Sequence, residues 1–478
     1  MTDPLLVLCQ DTLNQPALQG IAIPVYPRDG VVPGVVHLGL GAFNRAHQAL
    51  VFDDLLASGD ARWGVLGVAT RSWPLADTLA AQDGLYAVRL ANAAGASWRV
   101  VGALLQTCAA TREQATVHAA IAHPATRWVT VTVTEKGYDD DLAALLVEGL
   151  RQRWNAGLGG LTVASCDNLS HNGDKLKALC LSASPDIGFS DWLTRTCRFP
   201  NSMVDRIVPA ATSQCAEAAA VALGVRDNAA LFSEVFWQWV IEDNFAEPAD
   251  GLVLSGAGVT VVADVGPFED AKLRMLNGSH SALACIGILM GLGTVFEGVS
   301  HPALQRFIRQ LMQVEVMPHL TRPELPEYCE ALLQRFANPE VQHGLHQIAS
   351  DSSKKIGLRW VPSILAQLQA GGSVAHHAFA AAAWMRYGLA EDDHSKHYAI
   401  SDPQAERMTQ MARAHQNNME DMASAFLDVR SIWGETLWQH PVWKHAVVHW
   451  LREIQTKGTG DALQALLESQ IDETGRPR

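Results

Sequence analysis

Charge is sparse in this sequence, and positive charge sparsest. Lys and Arg number 36 against 50 Asp and Glu, giving a net charge of −14. That balance argues against nucleic acid or an anionic membrane as the main partner, though a few local cations are enough for a small anionic substrate. The eight cysteines form no CxxC pair, and their spacing suits neither a zinc site nor a disulfide framework, so free thiols in a reducing compartment are expected. No HExxH is present, which removes the usual zinc-hydrolase signature, and no metal is expected. The uncharged run from Ser281 to Phe296 is short for a membrane span and broken by glycines, so it reads as a buried helix. The opening MTDPLLVLCQDT has an acid where a signal peptide carries bases, and a cytoplasmic location is expected. Repeats and low-complexity tracts are missing. Glu391-Asp-Asp-His-Ser-Lys-His397 is rich in potential metal ligands but lacks ordered flanking partners, and a surface loop is the expectation.

What is there is the composition of a core-former: 48% hydrophobic and 18% charged over 478 residues, enough for two or three domains. Val35–Leu38 reads as a buried strand, Gly39-Leu-Gly41-Ala-Phe43-Asn-Arg45 as a turn, and the stretch from Asn44 to Leu56 as a helix. Strand, glycine turn and helix in that order open a dinucleotide-binding unit. Gly39 permits the tight turn and Gly41 a close approach of pyrophosphate. The third glycine of GxGxxG is replaced by Asn44. Arg45 either reaches a phosphate or fixes the loop, and His47 is expected to be structural.

Alternation continues. Strands are expected at 63–69, 86–90, 98–105, 128–134, 161–165 and 204–208, with helices at 74–82, 111–122, 141–154 and up to about 223, followed by apolar stretches at 231–241 and 252–263. Such alternation predicts a parallel sheet covered on both faces, with ligands at the carboxyl ends of its strands. Glu135 and Asn168 lie at such ends. From Pro267 the texture changes to apolar-periodic segments at 267–292, 302–316, 327–336, 340–349, 361–369, 374–387, 403–413, 418–428 and 441–455, a helical second half. The fold class is therefore α/β: a Rossmann-type parallel sheet domain over 1–265, then a mostly α-helical domain over 266–478.

The stretch Pro267 to His280 (PFEDAKLRMLNGSH) carries the chemistry. Pro267, Glu269 and Asp270 suit a helix start. Lys272, Asn277 and His280 follow at offsets 0, 5 and 8. In an unbroken α-helix these offsets fall at about 0°, 140° and 80°, within one broad arc. An amine, an amide and an imidazole together provide a base, an oxyanion donor and an orienting partner for a carbonyl or alcohol. A solvated polar face fits the spacing equally well, but the uncharged run that follows places the cluster beside a buried core.

Four motifs in order carry a resemblance to a known family: the glycine turn with Arg45, Ser165-Cys-Asp-Asn168, Phe199-Pro-Asn-Ser-Met-Val-Asp-Arg-Ile-Val-Pro209, and the Lys272…Asn277…His280 set. Thr134-Glu-Lys-Gly-Tyr138, Gln238-Trp-Val-Ile-Glu-Asp-Asn-Phe245 and Trp384-Met-Arg-Tyr387 support it. The sequence resembles the mannitol dehydrogenase family of polyol-specific long-chain dehydrogenases, and within it the fructuronate reductase (D-mannonate oxidoreductase) branch. The likeness runs from about Val35 to at least Tyr387. It implies a Rossmann-type domain followed by a helical one, with the site between them and no metal. It further implies Lys272 as acid/base, Asn168 and Asn277 as hydrogen-bond donors to the reacting oxygen, His280 as substrate-positioning, Asp205 as a substrate-side acid and Lys355 as a substrate-side cation. The residues expected to bind cofactor are Gly39, Gly41, Phe43, Arg45, Arg71, Thr134, Glu135 and Lys136.

Residue chemistry agrees with those roles. A lysine near its usual pKa of about 10.4 is a poor base, and burial against the apolar run is expected to lower it. Glu269, one turn before Lys272, is either a proton relay to solvent or a helix-start acid. Three departures from the family matter. Tyr138 passes through Asp139-Asp-Asp141 almost directly into a helix, where family members often carry a longer segment. No acid follows the second strand (Ala69-Thr-Arg-Ser-Trp73), so Arg71 leaves NADP open beside the family's usual NAD. Ser350-Asp-Ser-Ser-Lys-Lys355 is a looser version of the run before the substrate lysine, and Lys354 is an alternative to Lys355.

The expected reaction is hydride transfer between nicotinamide and a keto sugar or sugar acid, D-fructuronate and D-mannonate in the uronate branch. Arg206, Lys355, Arg359 and Arg386 are candidates for its carboxylate, and neutral Gln347 stands where polyol-type members tend to carry a cation. The alternatives are a mannitol or arabinitol dehydrogenase acting on neutral polyols, and a non-catalytic cofactor- or sugar-binding sensor. A monomer or small homo-oligomer is expected.

Overall fold

In a computed structural model, residues 5–184, 186–340 and 343–469 are described, and the chain divides into two compact units, Met1–Gly266 and Pro267–Arg478. The first is built on five parallel strands: β1 (Val35–Leu38), β2 (Val65–Ala69), β5 (Leu104–Ala109), β6 (Trp128–Val131) and β7 (Thr162–Ser165), in the order β5-β2-β1-β6-β7. β1 is central, with Val35 in register with both Val65 and Trp128. All its residues are buried, which is why it reads as a continuous apolar run and not as an alternation. The crossovers are α1 (Ala42–Ala46) and α2 (Gln48–Ala57) after β1, α3 (Pro74–Ala80) after β2, α4 (Ala110–Ala122) after β5 and α5 (Asp140–Asn155) after β6. This is the Rossmann-type parallel sheet that the alternation predicts.

Two small three-stranded sheets complete the unit. β3 (Tyr86–Asn92) lies between β4 (Gly95–Val101) and β9 (Leu231–Glu234), and β10 (Gln238–Glu242) between β8 (Ser202–Asp205) and β11 (Thr260–Val262). Several expected boundaries moved, each for a visible reason. The strand expected over 98–105 is two, because Asp53 accepts from Gly102 N and Arg28 Nε donates to Gly102 O. β6 stops at Val131 because the Asp167 carboxylate takes the N–H groups of Val133 and Thr134, at 3.0 and 2.8 Å. The strand expected at 204–208 sits at 202–205, since Ile207 N donates to the Glu234 side chain. The helix expected after Asn44 is broken at His47 (φ −125°, ψ −91°), whose Nε2 meets Gln238 O at 3.0 Å and whose ring stacks on Phe43.

The second unit is helical, and its described residues contain no strand, only isolated bridges. Its core gathers Met275, the buried face of Ala282–Leu289, Trp360, Trp384, Trp433 and Trp443. Helices at Arg430–Leu437 and Thr459–Ser469 were not expected from periodicity; Gly434, at φ +71°, interrupts the first. Of the helix expected at 340–349, Leu345–Ala349 is helical among the described residues, and residues 341 and 342 lie outside those described. No helix among the described residues is long and apolar enough to cross a membrane. All eight cysteines are free thiols.

Candidate functional site

In the first unit the glycine turn is fixed by close packing. Gly39 has φ +103°, and a Cβ there would lie 2.0 Å from Thr132 O, so only glycine fits. Gly41 is extended, and a Cβ on it would meet only Gly39 O, at 3.5 Å. Its Cα therefore faces open space, which is what close approach of a phosphate to the backbone requires. Arg45 does not reach into that space. It is buried, its Nε donates to Gly41 O at 3.2 Å, its Nη1 to Ala229 O, and its guanidinium lies over the Tyr86 ring. Of the two roles the sequence left for Arg45, these contacts match loop fixing. Phe43 is half-buried on His47. Asn44, in place of the third glycine, and Gln48 are buried, with neither amide hydrogen-bonded among the described residues.

The carboxyl ends of β6 and β7 are tied by Asp167, whose neighbour Asn168 is the residue the motif marks out. Burial raises its pKa, against the opposing pull of the Val133 and Thr134 N–H groups. These bonds hold Thr134 at φ +66° at the head of the Glu135–Gly137 turn. Thr134, Glu135 and Lys136 are exposed there, as is Asn168 after β7. Arg71, after β2, lines an open cleft with Thr70, Asp139 and Asp141. Asp205 is buried at the end of β8, opposite Gln238. Arg206 is a different case from the carboxylate-binding cation the sequence offered. Its Nε and Nη2 donate to Glu234 O at 3.0 and 2.8 Å and its Nη1 to Ala46 O, so the fork is spent on main-chain carbonyls, and burial lowers its pKa to about 10.

In the second unit, Lys272 to Asn277 form a turn of π-helix between the α-helical segments Gly266–Ala271 and Gly278–Leu289. This corrects the unbroken-helix geometry. A π turn bonds i to i+5, so residues five apart become neighbours as residues four apart are in an α-helix. Offsets 0, 5 and 8 then act as α-helical offsets 0, 4 and 7, a tighter stripe than the expected arc. Lys272 and His280 are buried and Asn277 half-buried. The turn is braced from outside. Arg274 Nε donates to Ser363 Oγ at 2.8 Å, Arg359 Nη1 to Asn277 O at 3.2 Å and Ser281 Oγ at 2.7 Å, and Trp360 Nε1 to Gly278 O at 3.0 Å. Glu269 is half-buried one turn ahead of Lys272.

His280 packs at 4.5 Å on the Phe336 ring and edge-on at 5.6 Å to His343, and its Nε2 has no hydrogen-bond partner among the described residues. Burial, then His343, Arg359 and Arg335, hold its pKa well below the usual histidine value. His343, which no motif or spacing marks out, is lowered by burial and by Lys355. Lys355 Nζ donates to Ser350 O at its shortest contact, and burial followed by Arg359 lowers its pKa. Burial alone lowers Arg359 to about 10. The structure thus sets Arg359 beside His280 and Lys355 beside His343, while Lys354 is exposed and faces Asp351 at 3.6 Å. Gln347 is exposed. Arg386 donates to Glu391 O at 2.8 Å, closing the turn after its own helix, and so differs from the expected substrate cation.

A parallel sheet with a glycine turn, joined in sequence to a helical unit that presents a buried lysine, an amide and a neutral imidazole, is the architecture of a nucleotide-dependent CH–OH oxidoreductase. Residues 33–251 match the model of the mannitol dehydrogenase Rossmann domain and residues 264–455 that of the mannitol dehydrogenase C-terminal domain. The chain belongs to the mannitol dehydrogenase family. It is 35% identical over 480 residues to the D-mannonate oxidoreductase of Escherichia coli K12, covering 93% of this chain and 98% of that one. To the mannitol 2-dehydrogenase of Phaeosphaeria nodorum it is 36% identical over 462 residues, covering 89% and 79%. Among solved structures it is similar to Pseudomonas fluorescens mannitol 2-dehydrogenase in ternary complex with NAD and D-mannitol (TM-score 0.80, 30% identity, 97% of this chain and 100% of that one). It is also similar to a substrate-free D-sorbitol dehydrogenase (TM-score 0.88, 29% identity, 96% and 100%).

Proposed function

We propose that the protein is an NAD-dependent oxidoreductase that interconverts a keto sugar acid and its hydroxy acid, D-fructuronate and D-mannonate, with Lys272 as the acid/base. The cradle at Gly39 and Gly41 fits the cofactor's pyrophosphate, and the cleft at Arg71 and Asp139 its adenosine ribose. NAD, when bound, supplies hydride acceptance. The protein's own groups manage the accompanying proton and the charge on oxygen. Lys272 takes or gives the proton at the reacting oxygen, and Asn277, on the same stripe, donates to that oxygen without titrating. His280, kept neutral, orients substrate hydroxyls. Glu269 passes the proton between Lys272 and solvent.

The observation that carries the choice of a sugar acid is Arg359. It is desolvated beside His280 and, among the described residues, no carboxylate hydrogen-bonds it. A cation so placed is costly until an anion meets it, and a substrate carboxylate is such an anion. Lys355 adds to the same field. A neutral polyol is the second reading, favoured by the mannitol 2-dehydrogenases among the relatives. Steady-state kinetics decide between them: kcat/KM for D-mannonate with NAD is expected to exceed that for D-mannitol by at least about tenfold, the effect of one charge-assisted hydrogen bond. A preference for D-mannitol refutes the sugar-acid assignment.

A further inference from the structure

In a dinucleotide-binding sheet the residue that ends the second strand usually selects the adenosine ribose. An acid there accepts from the 2′-hydroxyl of NAD, and an arginine accommodates the 2′-phosphate of NADP. Here β2 ends in Ala69-Thr70-Arg71 with no acid, a pattern that taken alone favours NADP. The structure brings a carboxylate to the same place from another element. Because Tyr138 leads straight into α5, the N-cap of that helix, Asp139, lies against Arg71, with Arg71 Nη2 at 3.0 Å from Asp139 Oδ2. The same Nη2 donates to Lys136 O at 3.0 Å. The other Asp139 oxygen accepts from Leu142 N at 3.1 Å. Arg71, Asp139, Asp141 and Thr70 line one cleft at the carboxyl ends of β2 and β6.

We propose that Asp139 is the cofactor-selecting residue, supplying from the start of α5 the carboxylate that is missing at the end of β2, and so favouring NAD over NADP. This rests on the reading of the first unit as dinucleotide-binding. An ionised carboxylate has roughly four acceptor sites, of which Leu142 N and Arg71 take two, so a 2′-hydroxyl finds an acceptor. A 2′-phosphate has to displace Asp139 from Arg71 and then lies beside Asp139 and Asp141. The Leu142 N–H first, and Arg71 after it, hold the Asp139 pKa below the usual carboxylate value, so the charge is present at working pH. The Arg71 and Asp139 side chains are 61% and 43% exposed, and ion pairs of that kind are worth at most about fivefold. The preference is therefore graded, not absolute.

The test is fluorescence titration of the full-length protein with NADH and with NADPH, before and after substitution. Wild type is expected to bind NADH more tightly. Asp139→Asn keeps a good N-cap and is expected to shift the NADH-to-NADPH affinity ratio toward NADPH by about two- to fivefold. Adding Arg71→Ala to Asp139→Asn is expected to cancel that shift, because the phosphate then has no cation to gain. A wild-type preference for NADPH, or a ratio unchanged in Asp139→Asn, overturns the proposal while leaving dinucleotide binding intact. Failure of wild type to bind either cofactor overturns the dinucleotide reading as well, so the two failures are distinct.

Discussion

Lys272, Glu269 and Arg359 divide the proposed chemistry between them, and each can be tested singly. Lys272 is buried in the π turn, where methionine replaces it with little change in volume. Lys272→Met is expected to lower kcat by about 10²- to 10⁴-fold, the range for a general acid/base, without loss of thermal stability; full turnover in that variant removes the lysine from the mechanism. Glu269→Gln is expected to alter the pH–rate profile and the solvent isotope effect, and an unchanged pair of curves reduces Glu269 to a helix-start acid. Arg359 has both a structural and a substrate-side contact to lose. Removing its bonds to Asn277 O and Ser281 Oγ disturbs every substrate alike, whereas removing its charge penalises only an anionic one. Arg359→Gln is therefore expected to raise KM for D-mannonate by about tenfold or more relative to its effect on D-mannitol. Equal losses on both substrates would leave Arg359 as a brace for the turn and nothing more.

At the scale of elements, the π turn explains the spacing that makes the active helix recognisable. One residue inserted in an α-helix widens a single turn and leaves the flanking helices in register. Deleting Leu273 should therefore close the bulge and keep Lys272, Asn277 and His280 on one stripe. Deleting Ser279 instead rotates His280 and all that follows by about 100°. We expect the Leu273 deletion to fold, with reduced activity because Arg274 loses its seat on Ser363, and the Ser279 deletion to lose both fold and turnover. Circular dichroism with thermal melts separates the two, and equal collapse would refute the bulge account. The sequence displays the residues of this stripe but not the bulge, since nothing in KLRMLN differs from an α-helical heptad fragment. Strands were legible where side chains alone define them, as at β1 and β7. They were misplaced where a distant carboxylate claims the backbone, as Asp167 does after Val131 and Asp53 at Gly102. Arg206 and Arg386 looked like free cations because a sequence does not show which carbonyls will face them.

For the whole molecule, acid is the condition that reaches both units. His37, buried in β1 between the Thr130 and Thr132 hydroxyls at 2.8 and 3.0 Å, is pushed by burial down to about 3. An unfolded histidine takes its proton near 6.5. Between those values the unfolded chain binds a proton that the native chain refuses, so stability falls as pH drops below about 6.5. His280 and His343 act in the same direction, each by up to about 1.4 kcal/mol per pH unit. Glu315 works in a lower window. It is buried in the second unit and accepts from the backbone N–H and Nδ1 of both His376 and His377. Burial alone would raise its pKa, but the side-chain bonds from His376 and His377, with the charge on those imidazoles, win and lower it to about 2. Its stabilisation is complete above the unfolded value near 4.3 and is lost as pH falls toward 2. Neutralising part of the −14 net charge works the other way, but surface repulsion is screened over about 8–10 Å and the buried groups are not. The urea midpoint is accordingly expected to be flat above pH 7, to decline from about 6.5, and to steepen below about 4.5. Glu315→Gln is expected to cost on the order of 3 kcal/mol at pH 7 and to converge with wild type near pH 2, because protonation has by then removed the same charge. Two parallel curves across that range would show that the Glu315 clamp does not govern the acid limb.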